Sequence, residues 1–182
     1  MNQRINLLKR NANKIYSNKV IIETYFEIFK YMDEKKLDGA CHPISTLLYI
    51  LLNEQNIKSE LCIGEAVYPD GTCFDHSWVE IDGDVYDIAI DRSAISSPPV
   101  FQGIDLETQI QTILKYGFKS NIEDNTGAKL AKTLSFNKWM DGYPHHEKGL
   151  WCVVKDLGNN LGLMIDLIAI KDKYKNTLRK EC

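Results

Sequence analysis

The dipeptide Asp82-Gly83 stands between two runs of alternating residues, Thr72–Ile81 and Asp84–Ile90. Such a dipeptide favours the type I′ turn that joins antiparallel strands, because both central residues take positive φ. If these two residues are the whole loop, Ile81 pairs with Asp84, Val79 with Tyr86 and Trp78 with Asp87. Side chains alternate faces along a strand and paired residues share one. His76, Trp78, Asp87 and Ala89 therefore lie on one face. Asp87 becomes the diagonal neighbour of His76, at a Cα separation of roughly 7–8 Å. A carboxylate and an imidazole can hydrogen-bond across that gap. One more loop residue would send Asp87 to the other face.

Around this hairpin the chain alternates between helical and extended texture. Glu60–Tyr68 is a third strand, joined through the turn residues Pro69-Asp70-Gly71, which completes an antiparallel meander. Upstream, Val20, Ile21, Tyr25, Ile28, Phe29 and Met32 recur at helical spacing and predict a helix over Lys19–Lys35. Asp38-Gly39 breaks it. Ile44, Leu47, Leu48, Leu51 and Leu52 predict another, which begins at about Pro43 because proline is tolerated in a first helical turn. Cys41 then falls at or just before its N-terminus. Downstream, Ser96-Ser97-Pro98-Pro99 is a loop and Val100–Phe101 a short strand. Leu106–Tyr116 reads as a helix closed by Gly117, and a further helix is expected near Lys129–Met140. Trp151–Leu157 is open between helix and strand. A last helix is expected over Asn160–Lys180, with Leu161, Met164, Ile165, Ile168 and Ala169 facing inward. The pattern is α+β, with helices packed on a small antiparallel sheet.

The address of Cys41 gives it chemistry. A thiol is nucleophilic only as thiolate. The free N–H groups and partial positive charge of a helix N-terminus stabilise that anion, and the same N–H groups can later hold an oxyanion. A base is still required, and histidine serves near neutral pH. Cys41, His76 and Asp87 thus form a candidate triad: nucleophile, general base and orienting carboxylate. The Cys41 N–H is one oxyanion donor, and the second is unassigned. Trp78 is read as a shielding core residue, and Glu80 as a sheet-rim residue without chemistry. A zinc site is not expected. Cys73 and His76 diverge on a strand, Cys62 and Cys73 have no closely spaced partner, and the adjacent His145-His146 would also point apart. The stretch Asp141–His146 reads as a loop that could gate a cleft.

Gly39-Ala40-Cys41 before a leucine-rich helix, then His76-Ser77-Trp78-Val79-Glu80-Ile81, then Val85-Tyr86-Asp87, together resemble the transglutaminase-like superfamily. There a cysteine opens a helix, a His-x-Trp-Val-Glu strand follows, and an aspartate ends the next strand. The resemblance runs from Gly39 to about Asp91. Two departures stand out: His42-Pro43 replaces the commoner small or acidic residues after the cysteine, and the segment after Ile95 matches nothing in the pattern. The resemblance implies an α+β, transglutaminase-like (papain-like) fold. The whole chain, 1–182, would be one domain with its catalytic core at about 39–91 and a helical region at about 104–182. It implies a cysteine hydrolase that cleaves a peptide or amide bond through a thioester. The alternatives are an acyltransferase of the transglutaminase or arylamine N-acetyltransferase type, and a catalytically idle protein-binding module. Substrates would be peptides, proteins or small amides.

Composition narrows the remaining classes. A net charge of −3 gives no reason to expect nucleic acid as a partner. The basic stretches Arg4–Lys19 and Lys171–Lys180 read as solvated helix faces. No apolar run reaches the ~18 residues of a membrane span, and the first residues lack a signal peptide's apolar core. Five cysteines without a scaffold pattern agree with reduced thiols and a cytoplasmic setting. No phosphate loop or dinucleotide fingerprint is present, so no cofactor is expected.

Overall fold

The computed structural model describes residues 3–95, 97–117, 126–144 and 146–182. Ser96 and His145 lie outside them. Three helices open the chain: α1 (Gln3–Ile15), α2 (Lys19–Lys35) and α3 (Cys41–Glu54). Asn18 caps α2 by accepting from the Val20 and Ile21 N–H groups. β1 (Glu60–Val67), β2 (Cys73–Ile81) and β3 (Asp84–Tyr86) form the expected meander. Ile81 pairs with Asp84 and Val79 with Tyr86. Asp82 and Gly83 both have positive φ, at 52° and 87°, as a two-residue type I′ turn demands.

β3 is shorter than the sequence suggests. It ends at Tyr86, and Asp87 leaves the hairpin to bridge Val100 through two backbone hydrogen bonds of 2.8 and 2.9 Å. Residues Ala89–Arg92 then form a 3₁₀ turn. Salt bridges pin that turn from two sides: Arg4 of α1 binds Asp91, and Arg92 binds Asp33 and Asp38 at 2.8 and 3.1 Å. The short strands β4 (Val100–Phe101) and β5 (Ile104–Asp105) form a separate hairpin.

The second half departs furthest from expectation. Leu106–Tyr116 is not a helix. Asp105 Oδ1 accepts from the Glu107 and Thr108 N–H groups in a local turn, Gln109 takes φ 60°, and Ile110 and Ile113 are exposed. Its end becomes β6 (Lys115–Gly117), which extends the sheet antiparallel to β1. The helix expected near Lys129–Met140 is two helices, α4 (Thr126–Thr133) and α5 (Phe136–Asp141). Trp151–Leu157 resolves as helical, within α6 (Leu150–Asn160). The long final helix shrinks to α7 (Leu167–Tyr174), because Asp166 caps its start and Gly162 breaks the run at φ 78°. Met164 and Ile168, expected inward, are exposed. The tail ends in β7 (Lys180–Glu181), parallel to β1. Among the described residues, the region after about 104 is therefore mixed, with two strands in the main sheet.

The order of the main sheet is β3-β2-β1-β6, with β7 also on β1. Helix α3 covers one face and α2 packs on α3, burying Tyr25, Phe29, Met32, Leu47, Leu51, Leu61 and Val79 in one cluster. Each such side chain contributes about 1.5–3 kcal/mol by leaving water. On β1, Gly64 sits opposite His76, and a Cβ there would lie 2.7 Å from the Gly117 carbonyl and 2.9 Å from that of Cys182.

Candidate active site

α3 begins at Cys41, two residues earlier than Pro43 suggests. Ala40 is its N-cap, with no side-chain cap bond among the described residues. The first N–H groups of the helix are therefore available to a ligand. Ser45 and Thr46 Oγ atoms donate back to the Cys41 and His42 carbonyls at 2.7 Å each, which secures this opening turn.

The structure brings Cys41, His76 and Asp87 together, all three buried. His76 Nε2 lies 2.7 Å from Asp87 Oδ2. This leaves Nδ1 as the nitrogen available to Cys41. The two-residue turn keeps the expected register, although Asp87 reaches His76 from the Val100 bridge and not from a continued β3 ladder. Asp87 itself is held by four further contacts. Tyr116 of β6 donates its hydroxyl to Oδ2 at 2.9 Å, and the Ile90 N–H donates to Oδ1 at 3.2 Å. The Tyr25 hydroxyl, wholly buried, lies 3.1 Å from the Asp87 carbonyl and 2.9 Å from that of Val100. The backbone bridge to Val100 completes the set. Burial and the Asp87 charge push the Tyr116 hydroxyl well up, so it stays a donor.

Electrostatics follow from this packing. Burial opposes ionisation of Cys41, but the charges of His42 and His76, and hydrogen bonds from both, hold its thiol well below the usual range. Burial opposes protonation of His76, yet Asp87 and Cys41 raise it well above an ordinary histidine. Both shifts favour a thiolate–imidazolium pair over the neutral thiol and imidazole. Cys62 shows the opposite case, its thiol pushed up by burial and by Cys182.

Two groups that sequence reading passed over flank this centre. His42 has Nδ1 2.7 Å from Ser77 Oγ. Arg179, read as part of a solvated basic face, is largely buried. It donates to the Ala131 carbonyl at 2.7 Å and to Thr46 Oγ1 at 3.2 Å, and stacks over Trp139 at 4.3 Å. Burial pulls its guanidinium down to about 10, while the negative charge of Cys41 works the other way. Nothing local marks Arg179, and His42 shows only as a departure from the usual pattern; the partners of both lie far along the chain.

The triad opens into a cavity of about 240 Å³, lined by Gly39, Phe74, Ala89, Ser93 and Gly127 beside Cys41 and His76. A second lobe of about 530 Å³ shares Gly39, His42 and Gly127 with it, and is walled by Pro43, Leu130 and Trp139. Tyr143 and Pro144, from the stretch read as a possible gate, line this second lobe.

Trp78 is fully buried and packs on Tyr116 at 5.0 Å between ring centres. Its Nε1 donates to Glu80 at 3.0 Å, and the other Glu80 oxygen takes Lys180 at 3.3 Å. Cys62 does acquire a partner: Cys182 Sγ lies 3.0 Å away, brought there by β7. The ligand atoms of Cys62, Glu80 and Cys182 lie within 4.8 Å of one another, but both Glu80 oxygens are already engaged.

The helix-opening cysteine, the histidine strand and the aspartate sit in an α+β arrangement of the transglutaminase-like type, and a comparison supports that likeness for the part of the chain that carries them. The family model described as transglutaminase-like superfamily matches residues 24–94, a span from α2 through the 3₁₀ turn. No curated protein and no solved structure matches the chain. Among the described residues, no helix is long and apolar enough to cross a membrane.

Proposed function

We propose that the protein is a cysteine hydrolase that cleaves a peptide or amide bond through a thioester on Cys41. The observation that carries this reading is the buried Cys41–His76–Asp87 arrangement at the uncapped start of α3. The Cys41 thiolate attacks the carbonyl carbon, and the Cys41 N–H stabilises the oxyanion. The His76 imidazolium gives its proton to the leaving amine as the thioester forms. Neutral His76 then takes a proton from water, the hydroxide attacks the thioester, and the acid is released. Asp87 fixes the ring and stabilises its charged form throughout. No cofactor enters this sequence, and the setting we propose is cytoplasmic.

Acyl transfer to an amine is the second reading. It is favoured by the larger lobe that opens off the same cleft, which has room for an acceptor. Partition of the acyl-enzyme between water and added amine separates the two.

The first test is selective alkylation. Iodoacetamide should label Cys41 far faster than Cys62, whose thiol is held up, and faster than the exposed Cys73. Cys41→Ala should abolish acyl-enzyme formation without loss of folding. Equal labelling of Cys41 and Cys73 would favour an idle binding module.

A further inference from the structure

The tetrahedral intermediate at Cys41 needs a second hydrogen-bond donor beside the Cys41 N–H. His42, the residue after the nucleophile, is the candidate for that donor. It lies in the first turn of α3, is 8% exposed, and lines both the triad cavity and the larger lobe. Its Nδ1 is committed to Ser77 Oγ at 2.7 Å. Among the described residues the Ser77 hydroxyl meets no other acceptor, so against a neutral ring it donates to Nδ1. The ring hydrogen then sits on Nε2. If the ring is charged, both nitrogens carry hydrogen and Ser77 accepts. In either state Nε2 is a donor, and it is the nitrogen left for the cleft. His42 is also close enough to the Cys41 sulfur to help hold its thiol below the usual range.

We propose that His42, held by Ser77, is the second oxyanion donor at Cys41. Two imidazoles would then flank one sulfur with separate duties. His76, backed by a carboxylate, moves the proton. His42, backed by a hydroxyl, keeps its hydrogen and receives the negative charge that develops on the carbonyl oxygen. A neutral hydroxyl suits the second duty. A carboxylate behind His42 would favour its charged form and make it a competing proton source. This inference rests on the thiol chemistry proposed above.

The test uses two probes of Cys41 that differ in one respect. p-Nitrophenyl acetate acylates the sulfur through a tetrahedral oxyanion. Iodoacetamide alkylates it by displacement at a saturated carbon and forms none. In His42→Ala, acylation should fall roughly 10²-fold, while alkylation at equal thiolate fraction stays at the wild-type rate. His42→Gln, which offers an amide N–H near the same place, should recover most of the acylation; it also serves if the alanine variant misfolds. Equal losses with both probes would mean that His42 acts only on the thiol's ionisation, and the proposal fails. Loss of thermal stability with neither rate changed would reduce His42 to a packing residue, and the proposal also fails. Wild-type Cys41 reacting with either probe no faster than Cys73 would instead overturn the hydrolase reading on which it rests.

Discussion

The two walls of the Cys41 cleft are secured in different ways. On the sheet side, Asp87 is fixed by His76, Tyr116, the Ile90 N–H and the Val100 bridge, and the neighbouring turn is pinned by Arg4 and Arg92. On the helical side, α4 and α5 meet the centre through Arg179, which ties the Ala131 carbonyl and the Trp139 ring to Thr46 of α3. The first wall holds reacting atoms in place; the second shapes the lobe beyond them. Such a division lets the chemistry stay constant while the space around the substrate varies.

The largest test of this contrast is Asp87→Asn. It should lower the Cys41 acylation rate on the order of 10² to 10⁴-fold, read with an activated ester. The pH profile should change with it. In the wild type, activity appears as Cys41 ionises, below the ordinary thiol range, and is lost as His76 gives up its proton, above the ordinary histidine range. Without the Asp87 charge His76 falls, so the alkaline limb moves to lower pH. The thiol then loses part of its positive neighbour, so the acid limb moves up and the window narrows.

Next in size is Arg179→Met. It leaves the Ala131 carbonyl without its guanidinium donor and removes the stacking on Trp139. A loss of about 2–3 kcal/mol is expected, read as a lower urea midpoint. Its kinetic effect should fall on KM for bulky substrates more than on alkylation of Cys41.

Tyr116→Phe removes one hydrogen bond to a buried carboxylate, worth about 1.5–3 kcal/mol. His76, the Ile90 N–H, Tyr25 and the Val100 bridge still hold Asp87, so we expect a roughly tenfold rate loss at most, with the alkaline limb shifted by less than in Asp87→Asn. A large effect would mean that the sheet-side wall depends on one contact after all. The smallest effect should come from Lys175→Ala, which breaks the exposed pair with Asp172. There the change should stay within ~0.5 kcal/mol and leave both walls untouched.

The same contrast explains what could be read from the chain alone. The hairpin, α2 and α3 carry strong local signals: strict alternation, a two-residue turn, and apolar positions at helical spacing. These put His76 and Asp87 on one side of the hairpin, while the final seat of Asp87 depends on Val100, Tyr25 and Tyr116. Beyond residue 104 local and global signals disagree. Leu106, Ile110 and Ile113 imitate a helical stripe, but Asp105 turns the chain locally and Ile110 and Ile113 face solvent. Tyr116 therefore looked like a helix residue, while it is a strand residue on Asp87. Arg179 looked like a solvated charge, because the aromatic rings that receive it lie on α5, far back along the chain. His42 was visible only as an oddity after the nucleophile; its partner Ser77 is named by packing, not by spacing.

Gly64 carries a consequence of its own. It stands across from His76, with the carbonyls of Gly117 and Cys182 where a side chain would begin. Even a methyl group there would wedge apart the strands that carry Tyr116 and follow Arg179, one belonging to each wall. A position that meets no substrate and donates no proton would then be as intolerant of change as the nucleophile. In a mutational survey the two would be indistinguishable by loss of function, and only a folding assay would tell the hinge of the site from its chemistry.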